Sequence, residues 1–445
     1  MEPPSGSSPT TRRNFLETSS AATAASLTTL AIATSRPVSA KNSASNLQLG
    51  LIGCGGRGAG AANQAMTADD GVQLHSMCDV SRSVMDAAHD ILKKGKPGRV
   101  DVPQERRYDT FEGYKRVIAD CDVVILATSP GFRPQHFEEA VAQGKHVFME
   151  KPVASDVNGI NRVLKAAKEA EAKNLKVAVG LQRRHQLGYQ EWIKRIQDGA
   201  IGDILVLRAL WNGSSRPGKP RLEGETELEY QIRSWYYFTW LSGDHNVEQH
   251  VHNLDVANWI MGDQHPVVAR GMGGQEVRNG PENGQIYDHH FVEYEYADGT
   301  LLYSQARQIP GCIRDISESA IGTLGRADLM QREFTISGPH ADTMRFRTNE
   351  DGHQLEHYPF FKAIREDLDY NEAENGARAT MTAILGRMSN YSGQAVTWEE
   401  AMASDQKLVP DDLVDFSSPA PVQPDSEGYY PKAVPGQSDP FELWY

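Results

Sequence analysis

From Asn46 onward, short apolar runs alternate with amphipathic ones. Asn46-Leu47-Gln48-Leu49-Gly50-Leu51-Ile52 predicts a strand, and an Ala-rich, helix-like segment from Ala59 to Ala68 follows it. Val72 to Cys78 predicts a second strand, Val123 to Thr128 a further one, and Pro134 to Gln143 has the composition of a helix before Gly144 to Met149. Strand and helix alternating at this pace predict a parallel, doubly wound sheet of the Rossmann type, with ligands meeting at the carboxyl ends of its strands. Val177 to His185 reads as another strand ending in polar residues, and Phe291–Tyr296 and Leu301–Gln305 alternate around an Asp298-Gly299 turn as antiparallel strands do. The fold class is therefore α/β.

Composition narrows the classes of function. With 445 residues, 39% apolar, the chain can fill the cores of two domains, and no internal repeat is evident. A formal charge of −14 without clustered Lys and Arg disfavours nucleic acid as a partner. Cys54, Cys78, Cys121 and Cys312 show neither CxxC nor paired spacing, so no disulfide framework or zinc site is signalled.

The first residues read as an address. Arg12-Arg13 precede Phe15-Leu16, an Ala/Thr/Leu-rich stretch runs from Ala21 to Ala33, and Pro37-Val38-Ser39-Ala40 offers small residues for cleavage, so residues 1–40 resemble a twin-arginine signal. The apolar run is too short and mild to span a bilayer. No membrane span is expected once it is removed, and the expected location is periplasmic or otherwise exported.

The first strand runs into Gly53-Cys54-Gly55-Gly56-Arg57-Gly58, which places glycines 53, 55 and 58 at the G-x-G-x-x-G positions of a dinucleotide loop. Asp79 follows the second strand about twenty residues after the last glycine, where a carboxylate can accept from the adenosine ribose hydroxyls and repel a 2′-phosphate. That favours NAD, while Arg82 keeps NADP open. Asp79 could equally be a helix N-cap. Gly53, Gly55, Gly56, Arg57, Gly58, Asp79, Thr128, Glu150 and Lys151 are the candidate cofactor-binding residues.

With the glycine loop, Glu150-Lys151-Pro152 makes nearly all of the mature chain resemble the Gfo/Idh/MocA oxidoreductase family. The resemblance implies a Rossmann domain (here 46–170) followed by an α/β domain on an open, mainly antiparallel sheet (171–416), with a C-terminal arm at 417–445. It also implies that Lys151 lies between nicotinamide and substrate, that the peptide before Pro152 is cis, and that the protein is a homodimer or homotetramer. A second motif matches at Glu248, His252 and Asp255, with Glu248 where the family has Asp. On one continuous helix these three share a face, with Trp259 below. His252 is the best general base, since an ordinary imidazole titrates near 6.5. Lys151, His252, Glu248 and Asp255 are thus the candidate catalytic residues, and Lys151, Arg183 and His252 the candidate substrate residues, with Arg184 and His185 beside them. His245, His250 and Asp244 crowd the same segment, but no metal is expected, since the chemistry needs none.

The function implied is an NAD(P)-dependent transfer of hydride between a secondary alcohol of a sugar, sugar acid or cyclitol and nicotinamide. Two alternatives stay open. One is a redox-assisted glycosidase or epimerase that recycles a tightly bound NAD, and the other is a catalytically silent binding protein of the same fold. Trp211 and the aromatic stretch from Trp235 to Trp240 could supply flat faces to a sugar ring or fill a core.

Overall fold

Strands buried on both faces need no alternation, and Val123–Leu126 is fully buried, as expected for the centre of a parallel sheet covered by helices. The computed structural model describes residues 46–214, 217–340 and 342–442, so the twin-arginine-like segment lies outside the described residues. Six strands make the first sheet: β1 (Leu47–Ile52), β2 (Val72–Cys78), β3 (Arg107–Tyr108), β4 (Val123–Leu126), β5 (His146–Met149) and β6 (Val177–Val179). Their order is β3-β2-β1-β4-β5-β6, with every pairing parallel. The connecting helices are α1 (Gly56–Ala68), α2 (Arg82–Gly95), α3 (Gly113–Asp120), α4 (Arg133–Ala142) and α5 (Val157–Ala172). The order reverses between β1 and β4, which opens a crevice at their carboxyl ends.

The second half is carried by α6 (Leu187–Gln197), β7 (Ile204–Asn212), α7 (Glu227–Arg233), α8 (Thr239–Ser242), α9 (His245–Glu248) and α10 (Val251–Ile260). There follow β8 (Val268–Gly274), β9 (His289–Glu295), β10 (Leu301–Arg307), β11 (Asp315–Gly322), β12 (Arg326–Met330), β13 (Glu333–Ser337) and β14 (Met344–Arg347). The chain then forms α11 (Gly352–Leu355), α12 (His357–Glu366), α13 (Ala373–Ser392), β15 (Ala395–Thr397) and α14 (Trp398–Ser404). The nine-stranded sheet runs β14-β13-β12-β11-β7-β10-β9-β8-β15, and only its β7–β10 pair is parallel. The predicted hairpin is β9–β10: Gly299 takes φ +86° at the turn, and side chains of β9 alternate between buried and half-buried. Among the described residues no helix is long and apolar enough to cross a membrane.

The boundary expected at 170/171 cuts the parallel sheet before its last strand. The parallel sheet continues to Val179, and the chain comes back to it much later. Phe360 and Phe361 of α12 join the apolar cluster of Leu49, Leu51 and Ala65, and Arg365 pairs with Asp69 at 2.7 Å. Glu372 donates its main-chain N–H to the Val177 carbonyl at the free edge of β6. The C-terminal arm packs on its own chain, with Ala420, Val422 and Tyr430 buried beside Leu228, Phe238 and Trp240. Phe238 and Trp240 are core residues, not a sugar platform. Cys54, Cys78 and Cys121 are buried thiols, and Cys312 is exposed.

Candidate active site

The glycine loop is built for close approach. Gly53 takes φ +92°, and a Cβ there would come within 2.5 Å of the Ala127 and Thr128 backbone. A Cβ on Gly58 would collide with the Gly53 carbonyl, which packs α1 against the loop. Gly55 and Gly56 have open space on the Cβ side, at the N-terminus of α1. Asp79 closes the loop from β2, accepting from Cys54 N at 2.7 Å and Ser81 N at 2.9 Å. It is therefore a backbone brace as well as a carboxylate facing the crevice, and burial raises its pKa against those bonds. Arg82 does not compensate: it is committed to Asp86, Gln104 and Asp109.

These residues border a cleft of about 860 Å³ that includes Gly53, Gly55, Asp79, Thr128 and His136. Its far wall comes from Lys219, Glu223, Arg233, Trp235 and Phe416, none of which a motif in the sequence marks. Glycines without room for a Cβ, an exposed helix N-terminus and a carboxylate at the end of β2 together fit a dinucleotide.

Glu150 and Lys151 follow β5, the neighbour of β4, which leads to Thr128. The Lys151–Pro152 peptide is cis. Lys151 Nζ donates to the Glu248 carbonyl at 2.5 Å and to Glu248 Oε1 at 3.2 Å, and the lysine side chain is 11% exposed. Glu150 points away from the cleft, to Arg57 Nε at 2.5 Å. Burial opposes its ionisation, but Arg57, Arg133 and Lys151 outweigh burial and hold its pKa below the ordinary value. Arg57 therefore reaches Glu150 and lies 3.5 Å from Glu356. Glu356 is fully buried, and burial together with the Glu150 charge pushes its carboxyl well up.

The predicted helical face of Glu248, His252 and Asp255 does not form. The helix breaks after Glu248, where His250 N reaches back five residues to the His245 carbonyl, and α10 starts afresh at Val251. Glu248 turns to Lys151. Asp255 is held by both Nε and Nη2 of Arg184, which also bonds Asp263 and lies over the Trp259 ring at 5.3 Å, so Asp255 does not orient His252. His252 has Trp211 stacked at 6.1 Å, and its Nδ1 has no partner among the described residues. Burial, then the charges of Lys151, Arg183 and His353, push its pKa well below the ordinary imidazole value. His353, on α11, is thereby a neighbour of the site that the polar stretch around it gave no reason to single out.

Arg183 is buried and committed to Glu318, with its guanidinium 5.9 Å from the Trp211 ring centroid, and His185 pairs with Glu372. Arg183 thus supports the wall of the site and is not a free clamp. Asp244, His245 and His290 bring ligand-type atoms within 4.8 Å of one another. The Asp244 carboxylate is taken up by hydrogen bonds: it accepts from His245 Nδ1 at 2.8 Å, His290 Nε2 at 3.2 Å, Tyr287 N at 3.0 Å and the Tyr391 hydroxyl. Arg278 lies 3.5 Å from His245, and His250 turns instead to Ser304 at 2.7 Å. The cluster is a buried polar network beneath α9.

A switch-point cleft fit for a dinucleotide, with a buried lysine–glutamate pair beyond the neighbouring strand, is an arrangement that suits dinucleotide chemistry. Residues 47–179 match the GFO_IDH_MocA model, described as an oxidoreductase family with an NAD-binding Rossmann fold. The chain is 27% identical over 264 residues to inositol 2-dehydrogenase of Klebsiella pneumoniae strain 342, which takes in 58% of this chain and 66% of that enzyme. The chain thus spans just under two thirds of the length of that curated relative. It is 29% identical over 184 residues to 2,7-anhydro-N-acetylneuraminate hydratase of Escherichia coli K12, covering 41% of this chain and 44% of that one. The fold matches scyllo-inositol dehydrogenase from Lactobacillus casei, solved with NAD(H) and scyllo-inositol. That match has a TM-score of 0.61 and 20% identity, over 80% of this chain and 99% of that one.

Proposed function

We propose that this chain is an NAD-dependent oxidoreductase acting on a secondary alcohol of a sugar, sugar acid or cyclitol. The observation that carries the reading is the buried Lys151–Glu248 pair beside a neutral His252, just beyond the strand ends that border the dinucleotide cleft. When bound, the nicotinamide supplies a two-electron acceptor or donor for the carbon that bears the hydroxyl. An ammonium has three hydrogens, and Glu248 takes two of them, which leaves the third for the substrate oxygen. That contact stabilises the alkoxide character that grows on the oxygen. The imidazole of His252, kept uncharged by burial, takes or returns the hydroxyl proton. Asp79, with Arg82 engaged elsewhere, supports NAD over NADP.

The relatives named for inositol support a polyol or cyclitol as substrate. A second reading, favoured by the relative named as a hydratase, is a reaction with no net redox change in which NAD is recycled within one turnover. Export through a twin-arginine pathway rests on Arg12-Arg13 and the Ala21–Ala33 stretch. Fractionation of cells expressing the full chain, with Arg12 and Arg13 changed to Lys in parallel, tests it.

The test of function is to incubate the protein with NAD and a panel of cyclitols, aldoses and sugar glycosides, following both NADH absorbance and product mass. NADH formation with ketone product supports the first reading. Elimination, hydration or epimer products without NADH support the second. Nucleotide binding with no turnover of any class leaves only the silent binding protein.

A further inference from the structure

A strand-end crevice of a doubly wound sheet has one protein wall, made by the glycine loop and the loops after β2 and β4. Here a second wall faces it. Lys219, Leu222, Glu223, Arg233 and Trp235, from the segment before, within and just after α7, share the cleft with Gly53, Asp79, Ser81 and Thr128, and Phe416 joins them from the C-terminal part of the chain. We infer that residues 219–235 and Phe416 form a strap that completes the nucleotide site and holds NAD through successive turnovers. The inference rests on the dinucleotide reading above and adds the residues that retain the cofactor.

The strap is a built element. Thr226 and Glu229 form a reciprocal cap at the start of α7. Arg233 grips both oxygens of Glu225, at 2.5 and 2.7 Å. Gln231 donates to the Val422 carbonyl at 2.6 Å and accepts from Trp240 Nε1 at 2.8 Å, while the Tyr430 hydroxyl donates to Glu227 at 2.6 Å. Phe416 meets Phe111 edge-on at 5.1 Å, so the C-terminal segment closes onto the first half of the chain across the cleft. Beneath lies an apolar cluster separate from the other cores, containing Leu228, Tyr230, Phe238, Trp240, Val422 and Tyr430. A nucleotide between these walls leaves past anchored aromatic contacts, which slows release without changing the chemistry.

The strap also brings a cation. Lys219 Nζ donates to the Arg233 carbonyl at 2.7 Å, and among the described residues no carboxylate lies within ion-pair distance of it. Arg233, by contrast, is neutralised by Glu225. Lys219 is therefore the strap residue suited to the phosphates of the dinucleotide, opposite the N-terminus of α1.

The experiment measures nucleotide content and release for the full chain. Protein is loaded with NAD and gel-filtered, and the bound nucleotide is quantified by mass spectrometry. Release is then timed after dilution into excess unlabelled NAD from protein carrying isotopically labelled NAD. Wild type should keep stoichiometric NAD, and Phe416→Ala and Lys219→Met should each release it at least about tenfold faster, with thermal midpoints of the nucleotide-free proteins unchanged. Wild type that binds NAD but releases it as fast as both variants overturns the strap and leaves the oxidoreductase reading standing. Wild type that binds no nucleotide overturns both. Lys219→Arg should restore slow release, which a merely structural role for the lysine stem would not require.

Discussion

Lys151 and Glu248, 97 positions apart, are joined twice: the ammonium donates to the main-chain carbonyl of Glu248 and to its carboxylate. The glutamate therefore positions the lysine with its backbone and balances its charge with its side chain. Glu248→Gln keeps the carbonyl bond and should lower kcat by about 10- to 100-fold with NAD affinity unchanged. Lys151→Met should lower it by about 10²- to 10⁴-fold. Steady-state kinetics beside NAD titration check both, and a Lys151→Met enzyme with wild-type kcat would remove the lysine from the chemistry.

Asp255 belongs to the framework. Its carboxylate is 1% exposed and carries two bonds from Arg184, so Asp255→Asn leaves a guanidinium poorly compensated in the interior. Losing one partner of a buried pair costs about 3–5 kcal/mol. The thermal midpoint should fall clearly while kcat of the folded fraction stays within about threefold of wild type. An Asp255→Asn variant that is as stable as wild type but has lost its activity would return Asp255 to the catalytic group.

The proposed preference for NAD rests on Asp79. Asp79→Ser should narrow the preference for NAD over NADP by about tenfold or more, since a 2′-phosphate then meets no facing charge. Because Asp79 also braces Cys54 N and Ser81 N, NAD affinity should fall as well. Fluorescence titration with both nucleotides reads the two effects separately.

Acid should unfold this protein from an unusually high pH. Burial lowers His136 to about 3, His245 to about 4 and His250 to about 3, and takes His252 and His357 well below 6.5. Unfolded, each titrates near 6.5. Between those values the unfolded chain holds protons that the native one does not, so this stability is fully present above about pH 6.5 and is lost as pH falls, by about 1.4 kcal/mol per pH unit for each imidazole. Glu356 acts in the opposite sense, because its raised pKa lets the native state keep a proton that the unfolded chain releases above 4.5. At these six groups, unfolding near pH 5 should therefore take up protons, since five imidazoles outweigh one carboxyl. Denaturant midpoints across that range check the slope, and a flat profile would mean that the imidazoles are charged or solvated in the fold. On the same grounds, kcat/KM for alcohol oxidation should not fall as pH drops through 6.5.

The first half was legible because its chemistry is local. Gly53, Gly55 and Gly58 are spaced by the demands of one turn, and β1, β2 and β4 are apolar runs that admit one reading. Lys151 is singled out by the Glu150-Lys151-Pro152 motif of the family that the chain resembles. Glu248, His252 and Asp255 misled because helical spacing assumes an unbroken helix, and what breaks this one is His250, drawn to Ser304 on a strand fifty-four residues on. Arg183 stood as a candidate substrate residue because Glu318, its partner, lies 135 positions away and leaves no local trace. The second wall of the cleft carries no motif at all. Trp235 and Phe416 become neighbours of Gly53 only through the tertiary path of the chain.

That path also sets when the nucleotide domain can exist. Phe360, Phe361 and Tyr370 complete the packing around Leu49, Leu51 and Phe148, and the edge of β6 is closed by residues 370–372. A growing chain released from the ribosome residue by residue therefore cannot finish its first-encoded domain until about four-fifths of the polypeptide has been made. Until then an unfinished hydrophobic face and an open parallel edge wait on the nascent chain.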